Sequence, residues 1–131
     1  MGKDNLTSEP LPEFLTVIEK LRSEHGCPWD KKQTPATIKK YLLEETAELA
    51  EAIDQDDAGH ILEETGDLLY ILAMLCQMFK ERDVFCFDDA LRTITQKMIR
   101  RHPHVFAGVP VGDEEALRKQ WQDIKQRERC P

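Results

Sequence analysis

Cysteine pairs, long apolar runs and positive charge are all in short supply in this chain, and each shortage removes a class of protein. The four cysteines, Cys27, Cys76, Cys86 and Cys130, form no C-x-x-C pair, which argues against a zinc ribbon or a dithiol redox motif. No signal peptide is read at the start, so free thiols in a reducing cytoplasm are the expectation. The longest apolar stretch, around residues 68–75, is far too short to cross a bilayer, and no membrane partner is expected. Lysine and arginine number 18 against 25 aspartates and glutamates, a formal net charge of −7. Phosphate backbones attract basic patches, so no nucleic-acid partner is expected. Strand-period alternation and internal repeats are missing too. The apolar stretch 105–111 is interrupted by Gly108 and Pro110, which suits a buried loop better than a strand.

What remains is helical. A chain of 131 residues fits one domain, and 33% charged against 40% hydrophobic residues suits a soluble fold with charged outer faces. Residues 1–10 read as a flexible N-terminus and 11–131 as a single domain. Five helices follow from period and punctuation. The first spans about 12–25, with Phe14, Val17, Ile18 and Leu21 at helical spacing, and Gly26 and Pro28 end it. Residues 26–34 read as a loop. Thr34 before Pro35 supplies a capping hydroxyl and a proline at the first helical position. The second helix then carries Ile38, Leu42, Leu49 and Ile53 to about residue 54. An acidic turn closed by Gly59 leads to a third helix, about 58–82, with a spine of Ile61, Leu68, Leu72, Leu75 and Phe79. A turn that short makes the two helices an antiparallel hairpin. The third helix is apolar round so much of its circumference that it is either central or at a subunit interface. Asp88 or Asp89 caps a fourth helix to about 101, and a fifth starts near Asp113 and carries Leu117, Trp121 and Ile124. The fold class is all-α, a helical bundle built around an antiparallel hairpin.

The chemistry lies in where certain acids fall on these helices. At about 100° per residue, Glu45 sits inside the apolar stripe of Ile38, Leu49 and Ala52, and Glu48 on its edge one turn on. Glu64 falls between Leu68 and Ile71, with Asp67 at i+3. Each arm of the hairpin thus turns an acidic pair at or beside the core. Ionised carboxylates there need cations, or their pKa values must rise. Ion pairs to Lys or Arg from another helix would serve, and so would a divalent metal. An all-oxygen donor set without His or Cys at ligand spacing favours Mg²⁺, with Mn²⁺ as a substitute, over zinc. Mg²⁺ so held keeps waters and recruits substrate phosphates. Glu44, Glu51 and Glu63 fall on outer faces, although Glu44 could assist the site.

The residues E44-E-T-A-E48 and E64-T-G-D67 resemble the E-E-x-x-E … E-x-x-D signature of the MazG nucleotide pyrophosphohydrolases. G26-C-P-W-D-K-K-Q-T34 and R100-R-H-P-H-V-F106 are similar to further segments of that family, in the same order. The resemblance implies a helical-hairpin fold assembled as a homodimer or homotetramer. It also implies hydrolysis of nucleoside triphosphates, ribo or deoxy, to monophosphate and pyrophosphate. It places metal ligands at Glu45, Glu48, Glu64 and Asp67; in a metal-assisted mechanism Glu45 or Glu48 would take the proton of the attacking water. Nucleotide contacts fall at Lys97, Arg101, Trp121 and Lys125. Lys97 with Arg101, and Trp121 with Lys125, are i,i+4 pairs that share a face. Two other readings stay open. The basic pair could simply oppose the helix dipole, and Trp121 could be core. Trp29 could border the pocket or anchor packing, Asp30 could be a loop or cap acid, and His102 and His104 suit structural or solvent roles. The alternatives in function are a narrower relative, acting on dUTP, dCTP or phosphoribosyl-ATP, and a non-catalytic helical oligomerisation module.

Overall fold

A computed structural model describes residues 9–129. Residues 1–8, where a frayed start is expected, and Cys130 lie outside the described residues. The described residues form helices and no strand. None of these helices is long and apolar enough to cross a membrane. The chain divides into two compact units after Phe87.

The first unit is built from α1 (Pro10–Leu21), the short α2 (Pro28–Lys32), α3 (Pro35–Asp54) and α4 (Ala58–Glu81). Helix α1 ends four residues sooner than the apolar spacing suggests, and residues 22–26 make turns instead. Gly26 is needed there for a close approach. A Cβ on it would lie 2.2 Å from the Leu21 carbonyl oxygen, which accepts the Cys27 N–H at 2.8 Å. Helix α2 occupies the segment expected to be a loop. Pro28 opens it, and five residues are too few for periodicity to reveal. Helix α3 starts as expected, on a reciprocal cap. The Thr34 hydroxyl accepts the Thr37 N–H at 3.2 Å, and the Thr37 hydroxyl accepts the Thr34 N–H at 2.8 Å.

The hairpin between α3 and α4 closes without Gly59, which lies inside α4. Asp56 takes the left-handed conformation (φ 54°), one that aspartate tolerates better than most residues. Asp57 then caps α4 by accepting the His60 N–H at 3.2 Å. Ile18 of α1, Ile38 of α3 and Ile71, Ala73, Met74 and Met78 of α4 form the core, with Phe14, Leu15, Tyr41, Leu42, Tyr70 and Leu75 packed around it. Two expected core positions are corrected. Leu72 and Ile53 are exposed, and Met74 and Ala52 are buried in their place. Helix α4 carries apolar residues on nearly every side, so its sequence alone leaves the buried line ambiguous by a residue or two. The Arg22 guanidinium ties this unit together. It donates two hydrogen bonds to Glu81, at 2.8 and 2.9 Å, and others to the carbonyls of Asp30 and Gln33.

The second unit holds α5 (Phe87–Arg101), α6 (Pro103–Phe106) and α7 (Glu114–Arg129). Asp88 and Asp89 lie within the first turn of α5, where negative charge complements the dipole. Pro103 starts a one-turn helix inside the expected connector. The Asp113 carboxylate caps α7 by accepting the Ala116 N–H at 2.8 Å. Ile124 is the buried residue of α7.

Candidate metal centre

The hairpin sets the geometry of the acidic residues. Glu45 and Glu48 stand one turn apart on α3, and Glu64 and Asp67 one turn apart on α4. The two helices pack against each other along their length. One carboxylate oxygen from each of the four residues lies within 4.8 Å of the others. Glu64 is 7% exposed, Glu45 is half-buried and Glu48 is exposed. The sequence expectation that acids on both arms turn toward one place therefore describes this hairpin.

What surrounds these acids bears on the two sequence readings. Among the described residues no Lys or Arg pairs with any of the four. Their one ion-pairing contact is the His60 ring, whose Nε2 lies 3.3 Å from Glu64 Oε1. Glu45 Oε2 and Glu64 Oε2 are buried without a hydrogen-bond partner. A buried, partnerless carboxylate oxygen is costly. Burial, and then the charges of Glu48, Asp67 and Glu64, push the Glu45 carboxyl up to about 7. Burial and the charges of Glu48 and Asp67 also raise Glu64. A divalent cation would remove the repulsion and give both orphan oxygens a partner. The residues present fit one, because four hard oxygen donors suit Mg²⁺ or Mn²⁺.

The family-model comparison matches the MazG nucleotide pyrophosphohydrolase domain over residues 33–106, a span that contains all four acids. The chain belongs to the MazG family. It is 45% identical over 117 residues to the nucleoside triphosphate pyrophosphohydrolase/pyrophosphatase MazG of Thermotoga maritima, covering 89% of this chain and 44% of that protein. It is 42% identical over 121 residues to the nucleoside triphosphate pyrophosphohydrolase of Escherichia coli K12, covering 92% of this chain and 46% of that one. The chain spans less than half the length of the curated relatives it matches. Among solved structures it is similar to a mazG-related protein from Thermotoga maritima. The TM-score is 0.73 at 28% identity, covering 88% of this chain and 99% of that one.

The other residues singled out in the sequence fall as follows. Trp29 and Glu44 belong to the first unit. The Trp29 ring meets Tyr41 edge-on at 5.2 Å, and Glu44 is exposed on α3. Asp30 is 5% exposed and accepts a hydrogen bond from the Tyr70 hydroxyl. It is thus a buried anchor for α2, a role its sequence position gave no means to find. Lys97, Arg101, Trp121 and Lys125 belong to the second unit. Arg101 pairs with Glu128 at 2.8 Å and lies over the Trp121 ring at 5.1 Å. Those two cationic hydrogen bonds, from Arg101 and Arg100, pull Glu128 down to about 2. The His102 ring meets Trp121 edge-on at 5.3 Å, and His102 Nδ1 donates to the Met98 carbonyl at 2.6 Å. The Gln120 amide donates to His104 Nδ1 at 3.0 Å. Both histidines therefore serve local packing. Lys97 and Lys125, half-buried, form no ion pair among the described residues. Sequence reasoning passed over His60. The signal was its place four residues before Glu64 on the same helix face.

Proposed function

We propose that this chain is a divalent-metal-dependent hydrolase that cuts nucleoside triphosphates, ribo or deoxy, between the α- and β-phosphates. The products are a nucleoside monophosphate and pyrophosphate. One observation carries the reading: four convergent carboxylates with no Lys or Arg partner among the described residues, two of them bearing buried orphan oxygens. Membership of the family and the printed names of the Thermotoga and Escherichia relatives support the substrate class.

Glu45, Glu48, Glu64 and Asp67 would hold the cation, Mg²⁺ by preference and Mn²⁺ as a substitute. When bound, it would neutralise triphosphate charge and make a water acidic enough to attack phosphorus. The chain's own residues do the rest. Glu45 or Glu48 accepts the proton released as the water attacks. The half-burial of Glu45 keeps solvent from competing for that proton. On the strength of their motif positions, Lys97, Arg101 and Lys125 stabilise phosphate charge, and Trp121 contacts the base. Trp29 and Glu44 are proposed as further nucleotide contacts on the same grounds. The assembly is proposed to be a homodimer or homotetramer. Leu62, Leu69 and Leu72, which stand exposed along one side of α4, support it as apolar surface for a second copy to cover.

The test is pyrophosphate release from a panel of ribo-, deoxyribo- and modified nucleoside triphosphates, with and without Mg²⁺. The reading expects Mg²⁺-dependent release, abolished in Glu45→Ala with helical content retained. No release from any nucleotide in the panel would overturn it.

A further inference from the structure

Glu128 belongs to none of the motifs read from the sequence, yet two cations of α5 end on its carboxylate. Arg101 donates to Oε1 at 2.8 Å, and Arg100 donates to Oε2. These two bonds pull the carboxyl down to about 2, so it is ionised throughout the neutral range. The Arg101 guanidinium is also backed by the Trp121 ring, 5.1 Å from its centroid, and that ring is met edge-on by His102 at 5.3 Å. The Arg101 side chain is 13% exposed, and its Nε is buried without a hydrogen-bond partner. An arginine free to turn would give that donor to water, because a buried unpaired N–H is costly. Its place is therefore set by Glu128 and Trp121, not by the satisfaction of its own donors. A guanidinium so held has already given up rotamer freedom that it would otherwise lose on binding an anion.

We infer that Glu128 is a positioning residue for nucleotide binding: it clamps the Arg101 guanidinium over the Trp121 ring before the nucleotide arrives. This rests on the proposed role of Arg101 and Trp121 as nucleotide contacts. Charge alone predicts the opposite effect. A carboxylate beside a triphosphate repels it, so removing Glu128 would tighten binding. Positioning predicts weaker binding, and the sign separates the two.

The experiment is calorimetric titration of the full chain, with Mg²⁺ at neutral pH. The probe is the nucleoside triphosphate cleaved best in the panel above, made uncleavable by an imido bridge between its α- and β-phosphates. Wild type, Glu128→Ala, Arg101→Ala and the double variant form a cycle. Groups within one ion-pair network couple strongly, so Glu128→Ala should bind the probe about tenfold more weakly. In the Arg101→Ala background the same change should cost less than about twofold, because Glu128 then has no Arg101 to hold. Glu128→Gln keeps an oxygen acceptor without the charge and should lose less than Glu128→Ala. If Glu128→Ala does not fold, Glu128→Gln decides by the same comparison. Equal or tighter binding on loss of Glu128, with Arg101→Ala still weakened, overturns the inference and leaves Arg101 a nucleotide contact. An equal loss in both backgrounds also overturns it, because Glu128 would not be acting through Arg101. Wild-type affinity in Arg101→Ala overturns the reading of Arg101 as a contact, and the inference with it.

Discussion

Glu45 and Glu64 carry their negative charge at a cost that a bound cation would remove, and that cost has a measurable pH signature. Glu45 titrates near 7 in the metal-free fold, against an ordinary value of 4.5. Because its folded value is the higher one, the folded state holds the proton more tightly than the unfolded chain does. Its contribution to stability is complete below about pH 4.5 and is lost as pH rises through about 7. The metal-free protein should accordingly melt at a lower temperature at about pH 8 than at about pH 6, and Mg²⁺ should close the gap. A metal-free melting temperature that climbs across that interval would contradict the picture. Glu81 and Glu128 do not confuse the test. Arginine partners lower both, so their contributions are lost only in the acid range below about pH 4.5. Glu64→Gln keeps the shape and removes the charge. It should stabilise the metal-free protein at about pH 8 while reducing Mg²⁺-dependent turnover by on the order of a hundredfold or more. Thermal melts and pyrophosphate release on the same preparations check both halves.

At the scale of elements, the short helix α2 owes its place to side chains beyond its own five residues. Tyr70 of α4 donates to buried Asp30, and Arg22 donates to the carbonyls of Asp30 and Gln33. Tyr70→Phe leaves the Asp30 carboxylate without that donor and should cost about 1–3 kcal/mol in urea denaturation. Thr34→Ala removes the hydroxyl that caps α3 and should cost about 1 kcal/mol by the same method. These two sites also mark what the sequence could and could not reveal. The Thr34 cap is local, so Thr-Pro before an apolar period announces it. The Asp30–Tyr70 bond joins residues forty apart, and nothing in the spacing of either points to the other. The same holds for Arg101 and Glu128, 27 residues apart. Glu45 and Glu64 were legible because an acid inside an apolar stripe contradicts its surroundings. Met74 was not, because nearly every side of α4 is apolar and the pattern no longer selects one face. His60 was missed because a histidine at a helix start looks ordinary until its ring is found against Glu64.

For the whole molecule, assembly and chemistry can each be tested. Exposed leucines on α4 should be covered by a second copy. Light scattering coupled to gel filtration should then give a mass of two or four chains, and Leu62→Glu with Leu69→Glu should lower it. A wild-type monomer across the working concentration range would refute that arrangement. The all-α fold was legible because helical periods, caps and the short hairpin turn all agreed. The division into two compact units after Phe87 was not, since residues 82–86 between α4 and α5 hold no Gly or Pro to mark a boundary. The chemical claim is the central one: convergent carboxylates hold a divalent cation so that water cuts the bond between the α- and β-phosphates. A ³¹P spectrum of a nucleoside triphosphate incubated with the protein and Mg²⁺ reads this directly. The account predicts pyrophosphate and nucleoside monophosphate appearing in equal amounts and disappearing from the reaction when Mg²⁺ is withheld. Orthophosphate with nucleoside diphosphate, or product formation that continues without a divalent cation, would contradict it.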